Sequence, residues 1–117
     1  MDVYFGASDL ARCYERSRIA IRTWGDQGGR RYIQRINELK AAPTLADLRR
    51  LPQVRLHALT GDRDDQFAVD VEHPKRIILE PYGEPESYLG PSGIDENKVT
   101  AITVIEVLDY HGRSRKR

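Results

Sequence analysis

Asp109, Tyr110 and His111 stand in a row at the end of the longest β-prone run, bringing a carboxylate, a phenol and an imidazole to one strand end. Such a place holds side chains rigidly yet leaves them open to a substrate. A second imidazole, His57, lies within an earlier β-prone run, and Arg76 opens another. Were the runs carrying His57 and His111 neighbours, two imidazoles would face one cleft and supply a proton acceptor and a proton donor near neutral pH. This set suits cleavage of RNA by its own 2′-hydroxyl. A base takes the hydroxyl proton, a cation stabilises the crowded phosphorane and an acid protonates the leaving oxygen, with no metal in the scheme. The plainer alternative is that each strand histidine is a hydrogen-bonded structural residue, and separation along the chain does not choose between the two.

Other chemistry-bearing residues read more simply. His73 precedes Pro74 and belongs to a turn, while Trp24 and Tyr14 fall on an apolar helix stripe and read as core. Gly28 and Gly29 make a turn, without the strand and further glycines of a phosphate-binding fingerprint. Asp62 and Arg63 occupy a hairpin turn, where the arginine is equally placed to touch phosphate. Cys13 is the single cysteine and the three histidines are scattered, so neither a disulfide framework nor zinc-ligand spacing is present, and no metal or cofactor is expected.

Positioning these residues falls to 117 residues, the size of one ordinary domain. We expect a single domain over residues 1–112 and a basic tail over 113–117. With 39% hydrophobic residues the chain can fill one modest core, which argues against disorder. No apolar run approaches the roughly 20 residues of a membrane span, and the N-terminus lacks a secretory signal, so a soluble, cytoplasmic protein is expected. The net charge of +1 hides an asymmetry: residues 1–55 carry +5, residues 56–112 carry −8 and the tail +4. Fifteen of the 19 basic residues are arginine, whose planar fork matches phosphate, although arginine-rich helices also serve simply as solvated faces.

Val3, Tyr4 and Phe5 suggest a short strand, and Ser8 and Asp9 an N-cap. Leu10, Cys13, Tyr14, Ile21 and Trp24 then trace one apolar helical stripe. Gly25, Gly28 and Gly29 interrupt it before Tyr32, Ile33, Ile36 and Leu39 resume the period, which predicts an antiparallel helical hairpin. Thr44 to Leu51 predicts a further short helix ended by Pro52. Beyond it the period changes to two, through Val54 to Leu59 and Phe67 to Glu72, and Arg76 to Glu80 adds an apolar-rich run, which together read as a β-meander. Pro81 to Lys98 is a proline- and glycine-bearing insertion or flap, and Thr100 to Tyr110 a central strand apolar on both faces. The order gives an α+β fold: a mostly antiparallel twisted sheet of about five strands, with the helices on one face.

The string Leu56-His57-Ala58-Leu59-Thr60-Gly61-Asp62-Arg63, then Gln66-Phe67-Ala68-Val69, Arg76-Ile77-Ile78-Leu79-Glu80 and Asp109-Tyr110-His111-Gly112 resembles the HigB, or proteic killer, branch of the RelE/ParE toxin superfamily. Residues Ile36 to Leu48 resemble the segment preceding the first meander strand in that branch. The resemblance implies a RelE-like fold and the toxin of a type II toxin–antitoxin pair, a ribosome-dependent endoribonuclease that cleaves mRNA and is neutralised by a HigA-like helix-turn-helix antitoxin. It implies bacterial cytoplasmic location, with operator DNA met only through the antitoxin and no membrane partner. It makes His57, Arg76, Asp109, Tyr110 and His111 the catalytic set. His57 and His111 share the acid and base work, Arg76 stabilises the phosphate, Tyr110 stacks on or orients a base, and Asp109 positions its neighbours. Arg63, Lys75 and Arg113 are the cations expected to face RNA or the ribosome. Thr60 stands where many relatives place a lysine, and the chain is less basic than ribosome-binding toxins tend to be. Two alternatives stand beside this reading: a non-catalytic ParE-like toxin acting on DNA gyrase, or a toxin whose nuclease has decayed and which acts mainly in repression with its antitoxin.

Overall fold

The computed structural model describes residues 1–63 and 65–109. Its elements in chain order are β1 (Asp2–Phe5), α1 (Ser8–Glu15), α2 (Ser17–Ala41), α3 (Leu45–Arg49), β2 (His57–Ala58), β3 (Phe67–Asp70), β4 (Lys75–Pro81), β5 (Leu89–Gly90), β6 (Gly93–Ile94) and β7 (Ala101–Asp109). Five strands form one sheet in the order β1-β7-β4-β3-β2, and β5 and β6 pair separately. The meander β2-β3-β4 is antiparallel throughout, β7 runs antiparallel to β4, and β1 runs parallel to β7. The fold is therefore α+β, as the change of period from 3.6 to two implies, and the parallel β1–β7 pair makes the sheet mixed.

Alternation sorts the two faces of the sheet. Phe67 and Val69, Ile77 and Leu79, and Ile102 and Val104 turn to the helices. There they join Tyr32, Ile36, Leu39, Leu45 and Leu48 in one core. Each fully buried Leu or Ile contributes about 1.5–3 kcal/mol. The intervening residues Ala68 and Ile78 lie outside that cluster, although buried. The register of β4 against β7 shifts between Ile78 and Leu79, whose partners are Glu106 and Val104. This bulge at Ile105 directs Glu106 and Leu108 to the face away from the helices and Val107 towards them.

The helical region keeps the reversal expected at the glycines, placing it at Gly25, and corrects the first arm of the hairpin, which is two helices. The stripe from Leu10 to Trp24 is not one helix, because the chain leaves helical geometry at Arg16 (φ −131°, ψ 105°). Within α2 the break falls at Gly25 alone, at φ 85° and ψ 173°, whereas Gly28 and Gly29 lie within helix. Gly29 is needed for close approach instead: a Cβ there would stand 2.6 Å from the Ala20 carbonyl carbon and the Ile21 nitrogen. Tyr32 Oη donates to the Leu10 carbonyl and Tyr14 Oη to Asn37 Oδ1, with Lys40 over the Tyr14 ring. These contacts advance together along both elements, so α1 lies alongside the second half of α2 in the same sense.

α3 matches the sequence expectation closely. Thr44 Oγ1 accepts from the Asp47 amide at 3.2 Å, the N-cap bond expected of threonine. The Pro81 to Lys98 stretch is built from short turns and the β5–β6 ribbon. Arg49 ties it to α3 through a two-pronged pair with Glu96, Nε to Oε1 and Nη2 to Oε2, both at 2.8 Å. That pairing raises the Arg49 pKa above its ordinary value. No helix among the described residues is long and apolar enough to cross a membrane.

Candidate functional site

His57 lies in β2 opposite Ala68 of β3, and Ala68 opposite Ile78 of β4, which in turn faces Glu106 of β7. This row places His57 on the face without helices. Asp70 and Arg76 are register partners across the β3–β4 hairpin, on the same face. The hairpin thus sets a carboxylate and a guanidinium side by side and next to β2. Arg76 Nε donates to Asp70 Oδ1 at 3.1 Å, and Arg55 Nε pairs with Asp70 Oδ2 at 2.8 Å. Arg76 Nη1 stands 3.5 Å from His57 Nε2, and His57 Nδ1 lies 3.0 Å from the Arg55 carbonyl oxygen. The four residues close a ring of contacts.

Asp70 is also gripped through its backbone. Its amide donates to the Val54 carbonyl at 2.9 Å, and its carbonyl accepts from Arg35 Nε at 2.7 Å. Arg35 is 3% exposed and uses its other nitrogens on Glu38 Oε1 and the Gln53 carbonyl, at 2.9 and 2.8 Å. A buried guanidinium demands such complete pairing. Here it fastens α2 to the strand that carries Asp70, so the core side of the sheet holds the open side in place.

Of the residues expected to do chemistry, His57 and Arg76 are brought together. Asp109 is the register partner of Lys75, one step beyond the Arg76–Leu108 pair, so alternation directs both Asp109 and Lys75 to the other side of the sheet. Lys75 Nζ stands 3.9 Å from Glu72 Oε1. Arg63 shares the open face, but its guanidinium is held by Glu106 Oε2 at 2.9 Å and Gln66 Oε1 at 2.8 Å. Gln66 continues this second chain to Glu80 Oε2 at 2.8 Å. Tyr110, His111 and Arg113 lie outside the described residues. Thr60 is exposed and its carbonyl accepts from the Arg63 amide at 3.3 Å.

Four participants were not apparent from the sequence: Arg55, Asp70, Gln66 and Glu106. Asp70 had a usable signal. A hairpin turning at His73 pairs residues equally spaced about it, and that places 70 opposite 76. The Arg55 conformation had none, because nothing in an arginine foretells a φ of 53°.

At the far end of the open face Tyr4 and Tyr82 stack with ring centroids 4.1 Å apart, both well exposed. A cleft of about 530 Å³ lies between Leu10, Trp24 and the Ile105–Leu108 stretch of β7, with Arg63 and Glu106 in its wall. His57 and Arg76 stand outside it, on the sheet surface. Among the described residues no three His, Cys, Asp or Glu side chains gather as a metal ion would need. The geometry offers an imidazole nitrogen beside a fixed cation on the face of the sheet away from the helices. The sequence matches no protein-family model and no curated protein.

Proposed function

We propose that this chain is a toxin of the HigB branch of the RelE/ParE superfamily, with a RelE-like fold, and that it is an endoribonuclease acting on mRNA in the ribosome. The observation that carries this reading is the 3.5 Å approach of Arg76 Nη1 to His57 Nε2 on the open face of the sheet. A cation and a proton-transfer group that close can engage one phosphodiester and the hydroxyl beside it.

In the proposed reaction the 2′-oxygen loses its proton as it attacks phosphorus. The bond from phosphorus to the 5′-oxygen breaks, and that oxygen takes up a proton. The products are a 2′,3′-cyclic phosphate and a free 5′-hydroxyl. His57 and His111 share the two proton transfers, Arg76 stabilises the phosphorane charge and Tyr110 orients a base, whereas Asp109, directed to the other side of the sheet, takes no part at the reacting atoms. The exposed Tyr4–Tyr82 stack offers a π-surface on which a further base can rest. A helix-turn-helix antitoxin of the HigA kind is the partner that holds the toxin inactive.

Growth of a bacterial host lacking the antitoxin tests this. Wild-type chain is expected to arrest growth, and Arg76→Ala and His111→Gln to relieve the arrest while keeping wild-type circular dichroism. Arrest of unchanged severity in both variants would overturn the assignment.

A further inference from the structure

Arg55 is the one non-glycine residue at positive φ among the described residues, at 53°. A side chain there costs about 1 kcal/mol or more and persists where surrounding contacts over-determine it. Two contacts do so. The guanidinium is anchored on Asp70 Oδ2 at 2.8 Å, and the carbonyl is turned onto His57 Nδ1 at 3.0 Å. A carbonyl oxygen can only accept, so Nδ1 is the ring nitrogen that carries hydrogen. In the neutral ring Nε2 then has a bare lone pair, and it faces an N–H of Arg76 at 3.5 Å.

We infer that Arg55 is a positioning residue that fixes His57 in the Nδ1–H tautomer and thereby makes it the proton acceptor of the site. This rests on the nuclease reading above and deepens it. His57 Nε2 takes the 2′-hydroxyl proton as the bond from the 2′-oxygen to phosphorus forms. When the bond to the 5′-oxygen breaks, the proton that oxygen receives comes from a different group. Asp70 serves both parts of the arrangement, since its two carboxylate oxygens hold the Arg55 and Arg76 guanidiniums.

The test separates the Arg55 backbone from its side chain. Glycine accepts φ 53° freely but has no guanidinium, whereas a β-branched residue is a genuine outlier there. Histidine labelled with ¹⁵N in the full chain reports the tautomer directly through long-range ¹H–¹⁵N correlations. Wild type and Arg55→Gly are expected to keep the proton on Nδ1, and Arg55→Val to move it towards Nε2. In RNA cleavage Arg55→Val should lower kcat about 100-fold, the low end of a general base's contribution, with KM changed far less. Arg55→Gly should lose only about threefold, and Arg55→Ala, the fallback should valine prevent folding, should lie between them. A wild-type ring protonated on Nε2 overturns the inference, as does Arg55→Gly falling as far as Arg55→Val. Wild type that holds the Nδ1 proton yet cleaves no RNA overturns the nuclease reading and the acceptor role, and supports only the hold on the ring.

Discussion

Replacing Arg35 with methionine should destabilise the protein by about 3–5 kcal/mol, because it strands polar groups rather than merely removing a charge. The side chain is 3% exposed and donates three bonds: to the Asp70 carbonyl, the Gln53 carbonyl and Glu38. The two carbonyls, both in part-buried surroundings, lose a charged donor at about 1–3 kcal/mol each. Glu38 contributes less, since it keeps Gln34 and Gln53 side-chain donors on its other oxygen, each at 3.2 Å. Methionine restores much of the volume, so cavity formation adds little. In urea, with a slope of about 1.5–2 kcal/mol per molar, the midpoint should fall by roughly 2 M. A loss under about 1 kcal/mol would refute the reasoning, because it would mean that the carbonyls find other partners at once. The same variant loosens the strand that presents Asp70, so RNA cleavage should fall under conditions where the variant is still folded.

Two further predictions concern the helical layer. Tyr32 is fully buried and burial pushes its phenol pKa well above the ordinary 10.0, so the folded state keeps a proton that the unfolded state releases. Stability is then complete below about pH 10 and falls as pH rises from there towards the folded-state value, by up to about 1.4 kcal/mol per pH unit. Urea titrations at pH 8 to 11 should show this decline in wild type and much less of it in Tyr32→Phe; equal slopes would sink the claim. Gly29→Ala forces a Cβ to within 2.6 Å of the Ala20 and Ile21 backbone and should cost about 3 kcal/mol in the same assay, whereas a change under 0.5 kcal/mol would show that the helices separate freely.

Most strands were legible because burial on one face writes a period of two into the sequence, but the run expected from Val54 to Leu59 is strand only at His57–Ala58, since Arg55 at φ 53° breaks it. Phe67 and Val69 declare the core side of β3 without any structure, whereas Ile77, Ile78 and Leu79 are apolar in a row and are sorted into faces only by their register. The helices were less so. Gly25, Gly28 and Gly29 look alike in sequence, yet one permits a backbone turn and Gly29 permits contact between backbones, and composition does not separate those uses. The break at Arg16 carries no proline or glycine to announce it. At the site, His57 and Arg76 stood out by residue type, but the residues that bind them together did not. Asp70 reads as an ordinary outward residue until its register partner is known. Arg55 acts partly through a carbonyl, a group every residue has. Arg63 looked free to meet phosphate because its counter-ion, Glu106, lies 43 residues away.

Cleavage of RNA by the proposed His57–Arg76 pair can be read by primer extension on ribosome-bound mRNA, with analysis of the new ends. Wild-type chain should produce discrete breaks ending in 2′,3′-cyclic phosphate, and His57→Gln and Arg76→Ala should each abolish them. Intact mRNA with the wild-type chain, or breaks that persist in both variants, would contradict the account.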